Sequence, residues 1–170
     1  MIDYRNARSE DAGALAAFSR DTFVDTFGHL YPSEDLQAFL AAKYGPEIQR
    51  AEIADASVRY RLALRGGAIV GYCKSGPLAL EVDPAPLKAL ELHRLYVANA
   101  VKGQGVAQAL TEDALNWARG QGAQAIYLSV WENNRRAQAF YRRYGFEHVG
   151  EHGFMVGRVR DRDLIWRLAL

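Results

Sequence analysis

Cysteine is nearly absent: Cys73 is the only one in 170 residues. No disulfide can form within the chain, so a reducing compartment, the cytoplasm, is expected. Long apolar runs are missing too. No stretch approaches the ~20 residues that span a bilayer. Met1-Ile2-Asp3-Tyr4-Arg5 lacks the basic-then-apolar design of a signal peptide, and no membrane partner is expected. Neither sign of charge is in excess: Lys and Arg number 21, Asp and Glu 20, for a net charge of +1. That leaves no global field to draw the chain to nucleic acid, and none is expected as a partner. Proline is scarce and clustered. Three of the five prolines lie between Ser75 and Pro86, which is therefore expected to be a loop. Repeats and low-complexity segments are absent.

What is present is an ordinary globular composition, 49% hydrophobic and 24% charged. The length suits one domain, residues 1–170, with a substantial core. Residues Ile2 to Arg8 predict a first strand, and Ser9 an N-cap with Glu10 and Asp11 in the first turn. Leu15, Phe18, Thr22 and Val24 mark a helix toward Phe27, broken by Gly28 to Pro32. Ser33-Glu34-Asp35 opens a second helix, and Pro46 a third to about Ala54. Val58 to Leu64 and Ala68 to Lys74 predict two strands joined by Arg65-Gly66-Gly67. Then come a strand from Leu90 to Val97, a helix from Val106 to Gly120 and a strand from Ala125 to Trp131. A helix is predicted from Asn134 to Tyr144, stopped by Gly145. Phe146 to Val156 and Leu164 to Leu168 form a closing hairpin around Gly157 to Asp163. Helices first, then antiparallel strands, βαβα and a last hairpin imply a mixed α/β sheet.

The centre of this plan is Leu92-His93-Arg94-Leu95-Tyr96-Val97 followed by Lys102-Gly103-Gln104-Gly105-Val106-Ala107. It reads as a covered strand, a glycine corner and a helix start. The first turn of a helix leaves N–H groups unpartnered and carries partial positive charge. Glycines let a ligand approach the backbone, so a phosphate fits there, with Lys102 as a cation at its mouth. A Walker loop is excluded, because Gly105 is followed by Val106 and Ala107 rather than Lys and Ser/Thr. A dinucleotide fingerprint starting at Gly103 fails at Gln108.

Lys102 to Ala107 resembles the Gln/Arg-x-x-Gly-x-Gly/Ala signature of the GNAT superfamily of N-acetyltransferases. Lys102 stands where Gln or Arg is preferred, and Ala107 where Gly is commoner. Asn134 to Phe146 is similar to the family's Asn-x-x-Ala-x-x-Phe/Leu-Tyr-x-Lys-x-Gly-Phe segment. The resemblance implies an acyl-CoA N-acyltransferase fold: a mixed, mostly antiparallel sheet with helices on both faces and a splayed central strand pair. It also implies acetyl-CoA as co-substrate, with no metal, and direct attack by a primary amine in a ternary complex. Leu95, Tyr96 and Val97 would then pair with the pantetheine amides, and Lys102, Gly103, Gln104, Gly105, Val106 and Ala107 would take the pyrophosphate. Asn134, Ala137 and Phe140 would line the coenzyme. One of the exposed arginines, with Arg143 as the candidate, would meet the 3′-phosphate.

By the same resemblance Tyr141 sits beside the coenzyme sulfur. Its ordinary pKa, about 10, leaves it a proton to donate at neutral pH; on spacing alone it belongs to a core stripe with Ala137, Phe140 and Tyr144. Glu91 and His93 share one strand face by alternation, and either could accept the amine proton. Cys73 is not expected to act as a nucleophile, since direct attack needs none. Asp25-Thr26-Phe27, Val130 to Asn133, Gly150 to Gly157 and Asp163-Leu164-Ile165 look similar to the PaiA-type branch, which acetylates polyamines such as spermidine and spermine. A polycation favours acidic, aromatic walls. Phe27, Tyr31, Trp131 and Phe154 could supply the rings, and Asp25, Glu34, Asp35 or Glu91 the charge. The alternatives are a non-catalytic acyl-CoA sensor and a protein N-terminal or lysine acetyltransferase. Both a monomer and a homodimer are compatible with the sequence.

Overall fold

The computed structural model describes residues 1–82 and 88–170. The chain runs β1 (Asp3–Asn6), α1 (Ala12–Phe27), α2 (Ser33–Lys43), α3 (Pro46–Ala54), β2 (Arg59–Arg65), β3 (Ala68–Pro77) and β4 (Ala89–Val97). It continues through α4 (Val106–Gly120), β5 (Ala125–Trp131), α5 (Arg135–Arg142), β6 (Glu147–Val156) and β7 (Val159–Ala169). The strands form one seven-stranded sheet in the order β1-β2-β3-β4-β5-β7-β6. Every neighbouring pair is antiparallel except β4–β5. This is the expected α/β class, with helices on both faces.

The two faces follow from alternation along the strands. Cys73, Leu92, Ile126, Leu128 and Trp166 turn toward α4 and α5 and join Val106, Leu110, Ala114 and Tyr141 in the largest core cluster. Tyr60, Leu62, Leu64 and Tyr72 turn the other way, onto Leu15 and Phe18 of α1. A smaller aromatic core, with Phe23, Tyr31, Tyr44 and Val156, binds α1 and α2 to the tip of the β6–β7 hairpin. Gly71 lets α4 close onto the sheet: a Cβ there would meet Val106 Cγ1 and the Tyr96 carbonyl, each at 3.2 Å.

Several boundaries differ from expectation. Ser9 is not an N-cap. It lies inside a short 3-10 turn, Ser9–Asp11, where the Asp11 carboxylate accepts the Arg8 N–H at 2.7 Å and pairs with Arg5. The predicted loop from Ser75 to Pro86 begins later, because Ser75, Gly76 and Pro77 still pair with β4; residues 83–87 of that loop lie outside the described residues. A proline at the last position of a strand loses little, since few ladder bonds remain. The Gly66-Gly67 corner forms the expected two-residue hairpin, with φ of +56° and +83°. α5 ends at Arg142 rather than Tyr144, because Tyr144 N–H turns back to the Tyr141 carbonyl and Gly145 N–H to that of Arg142. The last hairpin turn is only Gly157-Arg158, and β7 already starts at Val159. Its inward positions include Asp161 and Asp163, so apolar alternation conceals that part of the strand.

Candidate active site

The parallel pair β4–β5 is short. It runs from Ala89↔Ala125 to Glu91↔Tyr127 and stops. β4 continues to Val97 against β3 alone, and β5 continues to Trp131 against β7 alone. The sheet therefore parts at Glu91, and among the described residues no strand lies on this edge of β4 from there to Val97. Parity decides what that edge offers. Ala98 N–H donates to the Val70 carbonyl at 2.9 Å, and the register carries the same orientation to Tyr96, which faces Tyr72 on β3. The backbone groups of Leu95 and Val97 consequently turn into the gap, and those of Tyr96 do not. This corrects the expectation that all three residues offer amides to a ligand. The Tyr96 ring instead stacks on Tyr72, with centroids 5.9 Å apart.

At the far end of the gap lies the glycine corner. Gly103 and Gly105 have φ of +80° and +79°, a region closed to most side chains, and nothing lies within 4 Å of where a Cβ would stand on either. The Gly105 carbonyl accepts the first helical bond of α4, from Ala109 N–H at 2.9 Å. The N–H groups of Val106, Ala107 and Gln108 thus have no helical acceptor and point out of the corner. Lys102, Gly103, Gln104 and Gly105 are exposed, while the Val106 side chain is buried against Gly71. Gln104 is tied down by Arg65 and by the Ala100 carbonyl.

Asn134 caps α5, its Oδ1 accepting Ala137 N–H at 3.1 Å. This puts Ala137, Phe140 and Tyr141 on the face of α5 that packs on the main core, where Leu95 and Val97 also pack. Tyr141 is buried, held edge-on between Phe140 and Phe146. Burial raises its pKa above the ordinary value, with Cys73 and Tyr144 adding to the shift. Burial likewise pushes the Cys73 thiol up to about 12, so it holds its proton and is no nucleophile at neutral pH. Arg135, Arg136, Arg142 and Arg143 are exposed; Arg142 covers the Trp166 ring and Arg143 that of Phe140.

Glu91 and His93 do share a face: His93 Nδ1 is 3.3 Å from Glu91 Oε1. The other carboxylate oxygen accepts the backbone N–H of Ala79 at 2.8 Å and of Leu80 at 3.1 Å. Burial works to raise the Glu91 pKa, but the His93 bond and the two amides outweigh it and the net shift is downward. Glu91 is a braced carboxylate with weakened basicity. His93 lies at a β-bulge: Arg94 pairs with Lys74 and Leu92 with Ser75, leaving His93 without a partner on β3.

On the other sheet face, the open end of the gap is lined differently. Phe27 of α1 stands edge-on to Trp131 of β5, with centroids 6.1 Å apart. Phe154 is turned away onto Phe39. Tyr31 donates to Asp161. Asp25 and Glu34 are exposed, and Asp35 is occupied by Arg158 at 3.2 Å, beneath the hairpin turn. Of the acids expected there, only Glu91 is buried beside the gap without a strong cation. The carboxylates that do face this end are Asp161 and Asp163, which lie in β7 and not in the expected turn from Gly157 to Asp163. Their spacing of two, in step with Ile165, was the available signal.

A family model described as the acetyltransferase (GNAT) family matches residues 18–146. The chain belongs to this family. A GNAT relative from Lactobacillus delbrueckii subsp. lactis, named an uncharacterized N-acetyltransferase in the pepI 3′ region, is 31% identical over 164 residues, covering 95% of this chain and 93% of its own. A Mycobacterium tuberculosis relative, named uncharacterized N-acetyltransferase Rv2669, is 29% identical over 155 residues, covering 91% of this chain and 95% of its own. The PaiA N-acetyltransferase of Thermoplasma acidophilum, solved in complex with coenzyme A, shares the fold with a TM-score of 0.81 at 20% identity, covering 100% of this chain and 99% of that one. This GNAT chain is an acetyl-CoA-dependent N-acetyltransferase. Among the described residues, no helix is long and apolar enough to cross a membrane, and no three His, Cys, Asp or Glu side chains cluster as a metal site requires.

Proposed function

We propose that the chain, as one domain acting in the cytoplasm, acetylates a small polycationic amine by direct attack in a ternary complex. The parting of β4 from β5 after Glu91↔Tyr127 carries this reading, because it frees the amides of Leu95 and Val97 beside the glycine corner. Those backbone groups pair with the pantetheine amides as a further strand would. Val97 N–H faces, in this reading, the charge that develops on the thioester oxygen. The amides of Val106, Ala107 and Gln108, with Lys102, take the diphosphate. Arg143 takes the 3′-phosphate. Asn134, Ala137 and Phe140 line the arm of the coenzyme. Tyr141 gives its proton to the leaving sulfur. Glu91 braces His93 and the backbone at 79–80 at the point where β4 leaves β5.

The acceptor end supports a polycation. Phe27 and Trp131 offer ring faces and edges, Asp161 and Asp163 offer negative charge, and the PaiA-like segments of the sequence point the same way. The free thiol of Cys73 suits a reducing compartment.

Two measurements test the reading. Calorimetry should register coenzyme A binding by the folded protein, and acetyl-CoA with an amine panel should release thiol fastest with spermidine or spermine. Binding without release on any amine would leave a sensor instead of an enzyme. Release only with peptide N-termini would remove the polyamine. A third expectation concerns the corner. Gly105→Val forces a β-branched residue to positive φ, at about 1–2 kcal/mol, and fills the open space at the helix start. Coenzyme A should bind about tenfold more weakly (~1.4 kcal/mol), with Tyr141-dependent chemistry unaltered at saturation.

A further inference from the structure

We propose that Asp163 receives the ammonium group of the acceptor and takes its proton, in a compartment walled by Trp131, Phe27 and Tyr96. The inference rests on the acetyltransferase reading above and adds the base that this reading lacks. Asp163 pairs in register with Trp131 of β5 on one side and His152 of β6 on the other. It shares a sheet face with Asp161 and Ile165, and hence with Ser129 and Trp131 of the neighbouring strand. Trp131 is the last residue of β5 and touches Phe27, so this face opens at the mouth of the gap between β4 and β5. Tyr96 approaches it from β4: burial is the main cause of its raised pKa, and the Asp163 charge adds to the rise.

Asp163 is only 9% exposed, yet among the described residues no lysine or arginine pairs with it. Arg160 and Arg162 of β7 alternate to the opposite face, where Arg162 is held by Glu132 and Glu151, and Arg167, on the face of Asp163, stands four residues along the strand opposite Tyr127. Asp161 is different, since Tyr31 donates to it. A carboxylate buried without a cation is costly to maintain. A cationic substrate supplies the missing partner, and aromatic walls suit an ammonium group.

Proton affinity agrees with this geometry. Burial pushes Asp163 up to about 6, the charge of Asp161 adds to the push, and His152 and the Ser129 hydroxyl oppose it. Glu91, bound by His93 and two amides, is shifted the other way. A base poised near neutrality is the better proton acceptor.

The step balances as follows. One proton moves from the ammonium nitrogen to an Asp163 carboxylate oxygen. The freed electron pair forms the C–N bond to the acetyl carbon, and the C–S bond breaks. The sulfur takes the Tyr141 proton, the surplus proton on nitrogen restores the phenol, and Asp163 releases its proton to solvent.

Spermidine and acetyl-CoA are the probes. Asp163→Asn should lower kcat/KM about 100-fold at pH 7, leave coenzyme A affinity unchanged, and abolish an acid limb near pH 6 present in the native enzyme. Acetate or formate should restore part of the rate to Asp163→Ala, which a structural role would not allow. Full activity in Asp163→Asn, or an unmoved acid limb, would overturn the assignment. Should both variants fail to fold, the native profile decides: kcat/KM flat from pH 8 to pH 5 also overturns it. Loss of coenzyme A binding by the native chain would remove the acetyltransferase reading itself, whereas intact binding and transfer with an unaffected Asn variant would remove only the role of Asp163.

Discussion

Tyr141→Phe is expected to lower kcat about 100-fold, the low end of what a positioned general acid contributes, while coenzyme A affinity stays within about twofold. The reason is geometric. The substitution keeps the ring, and the ring is what packs: Tyr141 lies edge-on to Phe140 at 5.2 Å and to Phe146 at 5.5 Å. Removing only the hydroxyl leaves those contacts and the α5 cap at Asn134 intact. What disappears is a proton donor on the face shared with Leu95 and Val97. A 100-fold loss is about 2.7 kcal/mol of transition-state stabilisation, concentrated in kcat because the thiolate exists only late in the reaction. The pH dependence has a definite sign. Burial raises the Tyr141 pKa, so the phenol stays protonated well into the alkaline range. The deficit of the Phe variant should therefore be as large at pH 9 as at pH 7. Single-turnover thiol release with saturating acetyl-CoA checks this. A deficit confined to coenzyme affinity would make Tyr141 a packing residue only.

Much of the frame could be read from periodicity. α4 and β5 fall where apolar spacing puts them, because each is bounded by local punctuation: the Gly103–Gly105 corner before one, Gly120 and Gly122 before the other. The glycine corner itself was legible because positive φ leaves few other residues usable. The parting of β4 from β5 was not. Leu92 to Val97 is equally apolar whether its free edge meets a strand or a ligand, so only the resemblance could supply the gap. Nor was the parity at Tyr96 readable. It depends on the register with β3 and on the bulge at His93, which are properties of two strands together. Asp161 and Asp163 were missed for a related reason. A strand with acids on its inward face has the right period but the wrong polarity, and hydrophobic alternation discards it. A buried acid without a lysine or arginine partner among the described residues, as at Asp163, is where a local rule breaks at a functional place.

Glu52→Gln should cost about 3 kcal/mol of stability, the loss expected when one partner of a buried charge cluster is removed. Glu52 of α3 is the shared anion of two cations: Lys74 Nζ lies 2.7 Å from it and Arg94 Nη1 3.6 Å. Tyr60 also donates to it. The cations are poorly solvated, with side chains only 11% and 18% exposed. Burial and the nearby Arg94 already lower the Lys74 pKa despite Glu52. Arg94 cannot respond by losing its proton; it lies 4.8 Å from the centre of the Tyr44 ring, which adds only a modest attraction. Without the carboxylate two positive charges remain side by side under α3. Tm should fall by roughly 6–12 °C for a chain of this size. The pH dependence separates charge from shape. Burial works to raise the Glu52 pKa, but Lys74, Tyr60 and Arg94 together bring it below the ordinary value. A carboxylate lowered in the folded state stabilises above its unfolded pKa, about 4.3, and loses that contribution as pH falls through the folded value. The stability gap between native and variant, read by urea unfolding, should be full at pH 7 and shrink below about pH 4. A gap independent of pH would mean that packing, not charge, is what Glu52 provides between α3 and the strand that carries Tyr96.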